Sequence, residues 1–359
     1  MILSWVNRWR VPARPTSSVP SRTKLGAEVC PPRLRLFLAV ALLVPALLVP
    51  ALPPAPAAAE PWRLVAMGDF PYEEPGDFPR FEQLLATVNR NPPALVLHVG
   101  DIKNGSSPCT DAAFLRIRDY FATIDAPVLF TPGDNDWTDC HRPGAGTMDP
   151  LDRLAVLREM FFAPGRSLGR RPLAPVRQSD AAAALPFPEN ARVLLGGVMV
   201  VTAHVVGSNN NLRRSHPAAL AEHLARDAAT AGWIRAGFTA ARDAGAAAVI
   251  LAMHADPFAQ GDGRPGPSNR SGLAGTLAAL ADGAARYGGP VLVIHGDGHW
   301  YTVDRPFLDP AGRPLANVTR LEVFGWPTVA AVEVTVTPGA DQAFRFRKLA
   351  APEPDSGHP

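Results

Sequence analysis

Residues 94–101 read Ala-Leu-Val-Leu-His-Val-Gly-Asp, and the fold turns on that stretch and its two echoes. These are Trp-Arg-Leu-Val-Ala-Met-Gly-Asp at 62–69 and Pro-Val-Leu-Phe-Thr-Pro-Gly-Asp at 127–134. Each is a short apolar run that stops at Gly-Asp and reads as a strand closed by a turn. Between them the period changes. Phe81, Leu84, Leu85 and Val88 recur at helical spacing, so 81–88 is expected as helix, and 112–124 likewise. Beyond the third run we expect a helix over 151–162, a Pro/Arg/Ala-rich loop to about residue 190, and a hairpin over 191–206 turning at Gly196-Gly197. A long helix over 218–244 precedes a strand over 247–253 that stops at His254. A helix over 273–286 precedes a strand over 290–294, just ahead of Gly296-Asp297-Gly298-His299. Strands over 318–324, 329–336 and 344–346 close the chain. Strand–helix alternation with a hairpin-rich end implies an α/β fold with a mixed sheet and outer helices. Polar residues fall at the strand ends, where open α/β sheets build their sites.

The chain has 359 residues, 47% hydrophobic and 19% charged, which is enough for a substantial core. Its first stretch does not belong to that core. Arg8, Arg10, Arg14, Arg22, Lys24, Arg33 and Arg35 precede an apolar run over 36–52, and Ala57-Ala58-Ala59 follows. That order is expected of a signal peptide over 1–59, cleaved near Ala59, and so of export to the periplasm or beyond; the alternative is an uncleaved N-terminal anchor. Pro45 and Pro50 break the run, which is shorter than the roughly 20 residues of a comfortable membrane span. With no internal repeat or linker to divide it, 60–350 is expected as one domain and 351–359 as a disordered tail. The chain counts 35 basic and 33 acidic residues; less the leader's seven basic residues and one acid, 28 face 32, a net charge of −4. That balance gives no support for nucleic-acid binding. Cys109 and Cys140 remain beyond the leader, each shortly after a Gly-Asp turn. They either bridge and brace those two loops or are unrelated thiols, since spacing alone cannot place their Cβ atoms.

One Gly-Asp after a strand is common turn chemistry. Three in succession, then a strand-terminal His254, then Asp297 and His299 after another strand, assemble carboxylates and imidazoles at neighbouring strand ends. Such a donor set suits divalent Mn, Fe, Zn or Mg, and a carboxylate such as Asp101 can bridge two ions where imidazole cannot. No G-x-S-x-G and no P-loop occur, and Gly261, Gly263 and Gly266 match G-x-G-x-x-G only in a proline-crowded loop with no helix behind it.

The order Gly68-Asp69-Phe70-Pro71, Gly100-Asp101-Ile102-Lys103, Gly133-Asp134-Asn135-Asp136, His254 and Gly296-Asp297-Gly298-His299 resembles the calcineurin-like metallophosphoesterase superfamily. Trp233, on the helix before the His254 strand, adds to the likeness. The resemblance implies a four-layer α-β-β-α sandwich of two mixed sheets. It implies two divalent metal ions, one on Asp69, Asp101 and His299, the other on Asp101, Asp134, His254 and Asp297. It further implies hydrolysis of phosphate mono- or diesters by a hydroxide held between the ions.

This chain departs from the family pattern in four places. Pro71 stands where the family has histidine, with Tyr72 next to it and able to reach the metal. Asp134 stands for its asparagine ligand, Asn135 for its catalytic histidine, and Asp297 for the first histidine of G-H-x-H. A one-residue slip would make Asn135 the ligand and leave Asp134 behind it. The carboxylate-rich set favours harder ions. Asn135 removes the usual general acid; His141, or His216 on a loop, could replace it, or a good leaving group could need none. Asn104, Asn209, Asn210 and Arg213 are candidate substrate contacts, against the plainer reading of polar loops. His98, His204 and His295 lie on strands as core or supporting residues. The loop over 258–271 is expected to overhang the site. The expected function is therefore an exported metal-dependent hydrolase of phosphate esters, the alternative a weakly or non-catalytic protein that binds metal or phosphate on the same fold.

Overall fold

Strands that bury both faces need a packed layer on each side. The computed structural model, which describes residues 60–181, 186–258, 271–309 and 311–350, shows how this chain supplies those layers. The expected leader and tail, and the G-x-G-x-x-G match with nearly all of the loop over 258–271, lie outside the described residues. In chain order the strands are β1 (Trp62–Met67), β2 (Leu95–His98), β3 (Val128–Phe130), β4 (Val176–Arg177), β5 (Ala191–Leu195), β6 (Val198–Thr202), β7 (Ala248–Ala252), β8 (Val291–His295), β9 (Thr302–Asp304), β10 (Val318–Glu322), β11 (Ala330–Val336) and β12 (Phe344–Ala350). They form a five-stranded sheet ordered β12-β11-β1-β2-β3 and a seven-stranded sheet ordered β4-β5-β6-β7-β8-β10-β9. Both sheets are mixed. β1, β2 and β3 run parallel with β11 antiparallel to β1, while β6, β7, β8 and β10 run parallel with β5 and β9 antiparallel at the flanks.

Side-chain alternation sorts each strand between two cores. Leu64 and Ala66 of β1, with Leu95 and Leu97 of β2, pack in one cluster with Ala248, Ile250 and Ala252 of β7, so the two sheets face each other. The odd-numbered Val65 and Met67 pack instead with Phe81, Leu84 and Val88 of the helix Asp77–Arg90 and with Phe114, Ile117 and Phe121 of the helix Asp111–Phe121. On the other sheet Val249 and Leu251 pack against Trp233, Ile234 and Phe238 of the long helix Pro217–Asp243 and Leu280 and Ala284 of the helix Ala274–Tyr287. The chain is thus a four-layer α-β-β-α sandwich. Among the described residues no helix is long and apolar enough to cross a membrane. Helix ends follow local chemistry. Thr110 and Asp149 accept backbone N–H groups as N-caps, with Pro150 at the first helical position. His216 caps the long helix, its Nδ1 accepting from Ala219 N at 3.5 Å. β4 and β9 were not anticipated, being two and three residues long, and β12 runs on to Ala350, past the expected 346.

One buried polar network ties the layers together. Trp137, after β3, donates from its indole to His204 Nε2 at 3.2 Å, and His204 Nδ1 lies 2.7 Å from Glu189 Oε1. An indole only donates, so His204 Nε2 accepts and Nδ1 carries the proton given to Glu189. Arg158, on the helix Pro150–Phe161, completes the carboxylate's shell at 2.6 and 3.1 Å. Burial pulls His204 down to about 4, against the raising effect of Glu189. Burial would push Glu189 up, but His204 and Arg158 override it and hold the carboxyl at about 2.

Both groups have depressed folded values, so both remove stability in acid. The His204 contribution is lost as pH falls from its ordinary 6.5 toward 4, and that of Glu189 as pH falls from 4.5 toward 2. Each is worth on the order of 3 kcal/mol. Urea unfolding should therefore show His204 contributing a drop of about that much between pH 7 and 4, set against the raised carboxyls of Asp69, Asp139 and Glu322, which gain stability as pH falls. His204→Gln should flatten that drop, and an unchanged slope would place the titration elsewhere.

Candidate metal centre

The parallel strands β1, β2, β3, β7 and β8 deliver their following loops to one edge of the sandwich, where the two sheets meet. The backbone there is unusual. Asp69, Asp101, Asp297 and His299 all have positive φ, at 60°, 54°, 72° and 68°. Left-handed backbone is disfavoured for L-residues and least so for Asp and Asn, so turns carrying Asp are the form this geometry selects. Gly100, at φ 98°, cannot be replaced so freely: a Cβ there would collide with the backbone nitrogen of Gly133. That close approach brings the second and third loops together.

A residue not anticipated as functional fastens them. The buried Asp136 carboxylate accepts backbone N–H groups from Asp101 at 3.1 Å, Ile102 at 2.8 Å and Gly133 at 2.7 Å. Lys103, also buried, donates to the carbonyls of Asn104 and Asn135, both at 2.8 Å. Cys109 and Cys140 form a disulfide with Cα atoms 5.7 Å apart, so the bridging alternative holds and the loop after Asp101 is bound covalently to the loop after Asp134.

His254 decides whether a cation fits. Its Nδ1 lies 2.8 Å from the Val99 carbonyl and must donate to it, leaving Nε2 turned inward. Nε2 then faces Asp134 Oδ1 at 3.0 Å, Asp101 Oδ1 at 3.4 Å and Asp297 Oδ1 at 3.8 Å. A lone pair facing three carboxylate oxygens is repulsive unless positive charge sits between them. The titration behaviour reflects this. Burial lowers His254, yet Asp101 and Asp134 override it and hold the imidazole well above its ordinary value. Burial also pushes Asp101 well up and Asp69 to about 6. Asp69 Oδ2 is buried with no hydrogen-bond partner among the described residues, while Oδ1 accepts from Asp297 N at 3.0 Å. Asp69, Asp101 and His254 offer atoms within 4.8 Å of one another, and so do Asp134, His254 and Asp297. His299 stands on the far side of Asp69, its Nε2 3.6 Å from Asp69 Oδ1 and its Nδ1 at 2.9 Å from the Trp326 carbonyl. The donor set fits divalent cations, with carboxylates predominating.

All six expected ligands thus converge on one edge. Between the alternatives at the third loop, Asp134 enters the His254 cluster and Asn135 stands beside it, its amide donating to Asp101 Oδ2. Tyr72 also reaches that atom, its phenol at 3.1 Å, with its ring 5.7 Å from that of His299. The remaining expectations fare differently. His141 Nδ1 is 2.7 Å from the Thr138 carbonyl and Nε2 is 3.2 Å from Arg213 Nη1. The ring is thus held between a backbone carbonyl and a guanidinium. Asn209 and Asn210 both bond to the protein itself. Asn209 Oδ1 accepts from Gly272 N at 2.9 Å, and the buried Asn210 donates to Gly272 O while accepting from Val206 N and Arg226. Ser208 to Asn211 all have positive φ, forming a left-handed turn. It places Ser208 Oγ 2.8 Å from Asp134 Oδ2. Asn104 Oδ1 closes its own loop by accepting from Ser106 N at 2.7 Å. His98 packs in the core against Phe121 and Phe130. His295 Nε2 is buried without a hydrogen bond among the described residues, 4.0 Å from Asp256, whose backbone N–H supports Asp297 at 3.1 Å.

Residues 63–301 match the family model for calcineurin-like phosphoesterases. Similar solved structures include GAP50, the anchor in the inner membrane complex of Plasmodium. It is 11% identical, with 82% of this chain and 90% of that one covered and a TM-score of 0.46. TT1561 of Thermus thermophilus is 11% identical, covering 81% and 99%, at 0.39. The purple acid phosphatase PPD1 from yellow lupin seeds (Lupinus luteus) is 14% identical, covering 83% and 55%, at 0.44. No curated protein matches the chain.

Removing the Asp136 carboxylate strands three buried N–H groups, each worth about 1–3 kcal/mol. Asp136→Ala is expected to lower stability by at least about 3 kcal/mol in urea unfolding and to weaken Mn²⁺ uptake measured calorimetrically. Tight Mn²⁺ binding in that variant would show that the clamp does not set the centre.

Proposed function

The chain belongs to the calcineurin-like phosphoesterase family, and on that premise we propose that it is an exported, metal-dependent hydrolase of phosphate esters. The observation that carries this reading is the inward-facing His254 Nε2 among Asp101, Asp134 and Asp297. We assign Asp69, Asp101 and His299 to one ion and Asp101, Asp134, His254 and Asp297 to the other, with Asp101 shared. Two divalent ions so placed would acidify a water between them and neutralise phosphoryl oxygens. The chain's own groups hold the arrangement. Tyr72 and Asn135 fix the Asp101 carboxylate, and Val99 fixes the tautomer of His254. No imidazole stands at Asn135 to protonate a leaving group, which favours esters whose alcohol leaves readily. The carboxylate-rich set favours Mn, Mg or Fe over Zn. Export rests on the leader over 1–59, with cleavage near Ala59.

A second reading, a metal- or phosphate-binding protein with little turnover, draws on Pro71 and Asn135 standing where imidazole is usual. One experiment separates the two. The full chain is produced in an exporting host, its mature N-terminus is sequenced, and p-nitrophenyl phosphate and its bis-ester are assayed with Mn²⁺. The expected result is a start just after Ala59 and chelator-sensitive turnover that Asp101→Ala lowers by at least about 10³-fold. Stoichiometric Mn²⁺ without turnover on either ester would favour the binding protein.

A further inference from the structure

Carboxylates predominate at the base of the centre, so a side-chain cation that adds to the ions in holding an anionic substrate is sought at the mouth. Arg142 stands there. Its Nη2 is 2.7 Å from Asp139 Oδ2, a carboxylate whose side chain is 3% exposed, and 3.5 Å from Ser208 Oγ. Ser208 Oγ in turn bonds Asp134 Oδ2 at 2.8 Å, so a single hydroxyl separates the guanidinium from an assigned ligand. The Nη1 edge lies beside Asn135. A Cβ on Gly105 would sit 2.9 Å from Arg142 Nη1 and 2.5 Å from Asn135 Oδ1, so the two groups are neighbours across a gap that glycine keeps clear. Asn135 itself donates to Asp101. Arg213, joined to His141 at 3.2 Å, adds a second cation on the same rim.

The arm that carries Arg142 is rigid. Cys140 is disulfide-bonded to Cys109, Cys109 N donates to Ala145 O at 3.1 Å, and Met148 N donates to Cys140 O at 2.8 Å. The half-exposed guanidinium is therefore held in place before substrate arrives, so little ordering entropy opposes binding.

We propose that Arg142 grips terminal oxygens of the substrate phosphate and makes the preferred substrate a phosphate monoester dianion. This rests on the hydrolase reading above. Two ions can engage both non-bridging oxygens of a diester. Only a monoester carries a further terminal oxygen for a planar, fork-shaped donor to take.

The test uses the Mn²⁺-loaded full chain, its Arg142→Ala and Arg142→Lys variants, and Arg286→Ala as a control for charge loss on an exposed helix face. In Arg142→Ala the kcat/KM ratio for p-nitrophenyl phosphate over the bis-ester should fall about 10–100-fold. The Kd for inorganic phosphate, by calorimetry, should rise by a similar factor while Mn²⁺ affinity holds; the urea midpoint falls because Asp139 loses its partner, and Arg142→Lys, which keeps a cation there, separates that loss from the phosphate effect. Arg142→Lys should fall between, because it keeps charge without the fork. An unchanged ester ratio together with unchanged phosphate affinity overturns the proposal. If the unmodified protein turns over neither ester, the hydrolase reading fails; phosphate affinity in the two Arg142 variants then still decides whether this arm binds the anion.

Discussion

A hydrogen bond from His254 Nδ1 to the carbonyl of Val99 joins the end of one sheet to the end of the other, and the chemistry of the centre follows from it. With that nitrogen committed, Nε2 is aimed at three carboxylates from three different loops. None of these groups would choose the arrangement alone, because buried like charges raise each other's energy. The apolar layers above and below hold them together: burial between two sheets and two helix layers supplies the stability that the edge spends. Positive charge placed among these groups would relieve that repulsion, which is why the donor set fits divalent cations.

Strain is distributed in the same way. Left-handed backbone at Asp69, Asp101, Asp297 and His299 lies within one residue of glycines that allow neighbouring chains to touch. Supporting groups then absorb the donors these turns expose. Asp136 serves the second and third loops, Asp256 N supports Asp297, and the Trp326 carbonyl accepts from His299.

Much of the fold was legible because residues buried on both faces leave a continuous apolar run that few other structures produce. Residues 62–67, 95–98 and 248–252 are strands for that reason. The six candidate ligands were legible because each follows such a run. What escaped was set by partners and not by residue type. Asp136 reads like one more ligand-type acid, and only the three N–H groups around it reveal a clamp. Asn209 and Asn210 read as substrate contacts or as a polar loop, and consecutive asparagines are also what a left-handed turn requires; their amides pair with the backbone of Gly272. The cysteine pair stayed open until Cα positions were known. β4 and β9 are too short to show a period.

The left-handed turn over 208–211 also bears on how freely this lineage can drift. Reversed handedness penalises most side chains by about 1–2 kcal/mol per residue, with glycine, asparagine and aspartate spared most of it. Four adjacent positions are thereby confined to a narrow alphabet, and none of them chooses its residue for the reaction. Ser208 is the most constrained, since it must tolerate the reversed backbone and also keep the hydroxyl that meets Asp134. Change around this edge is therefore expected at exposed positions such as Arg142, while this segment stays nearly fixed, a by-product of chirality.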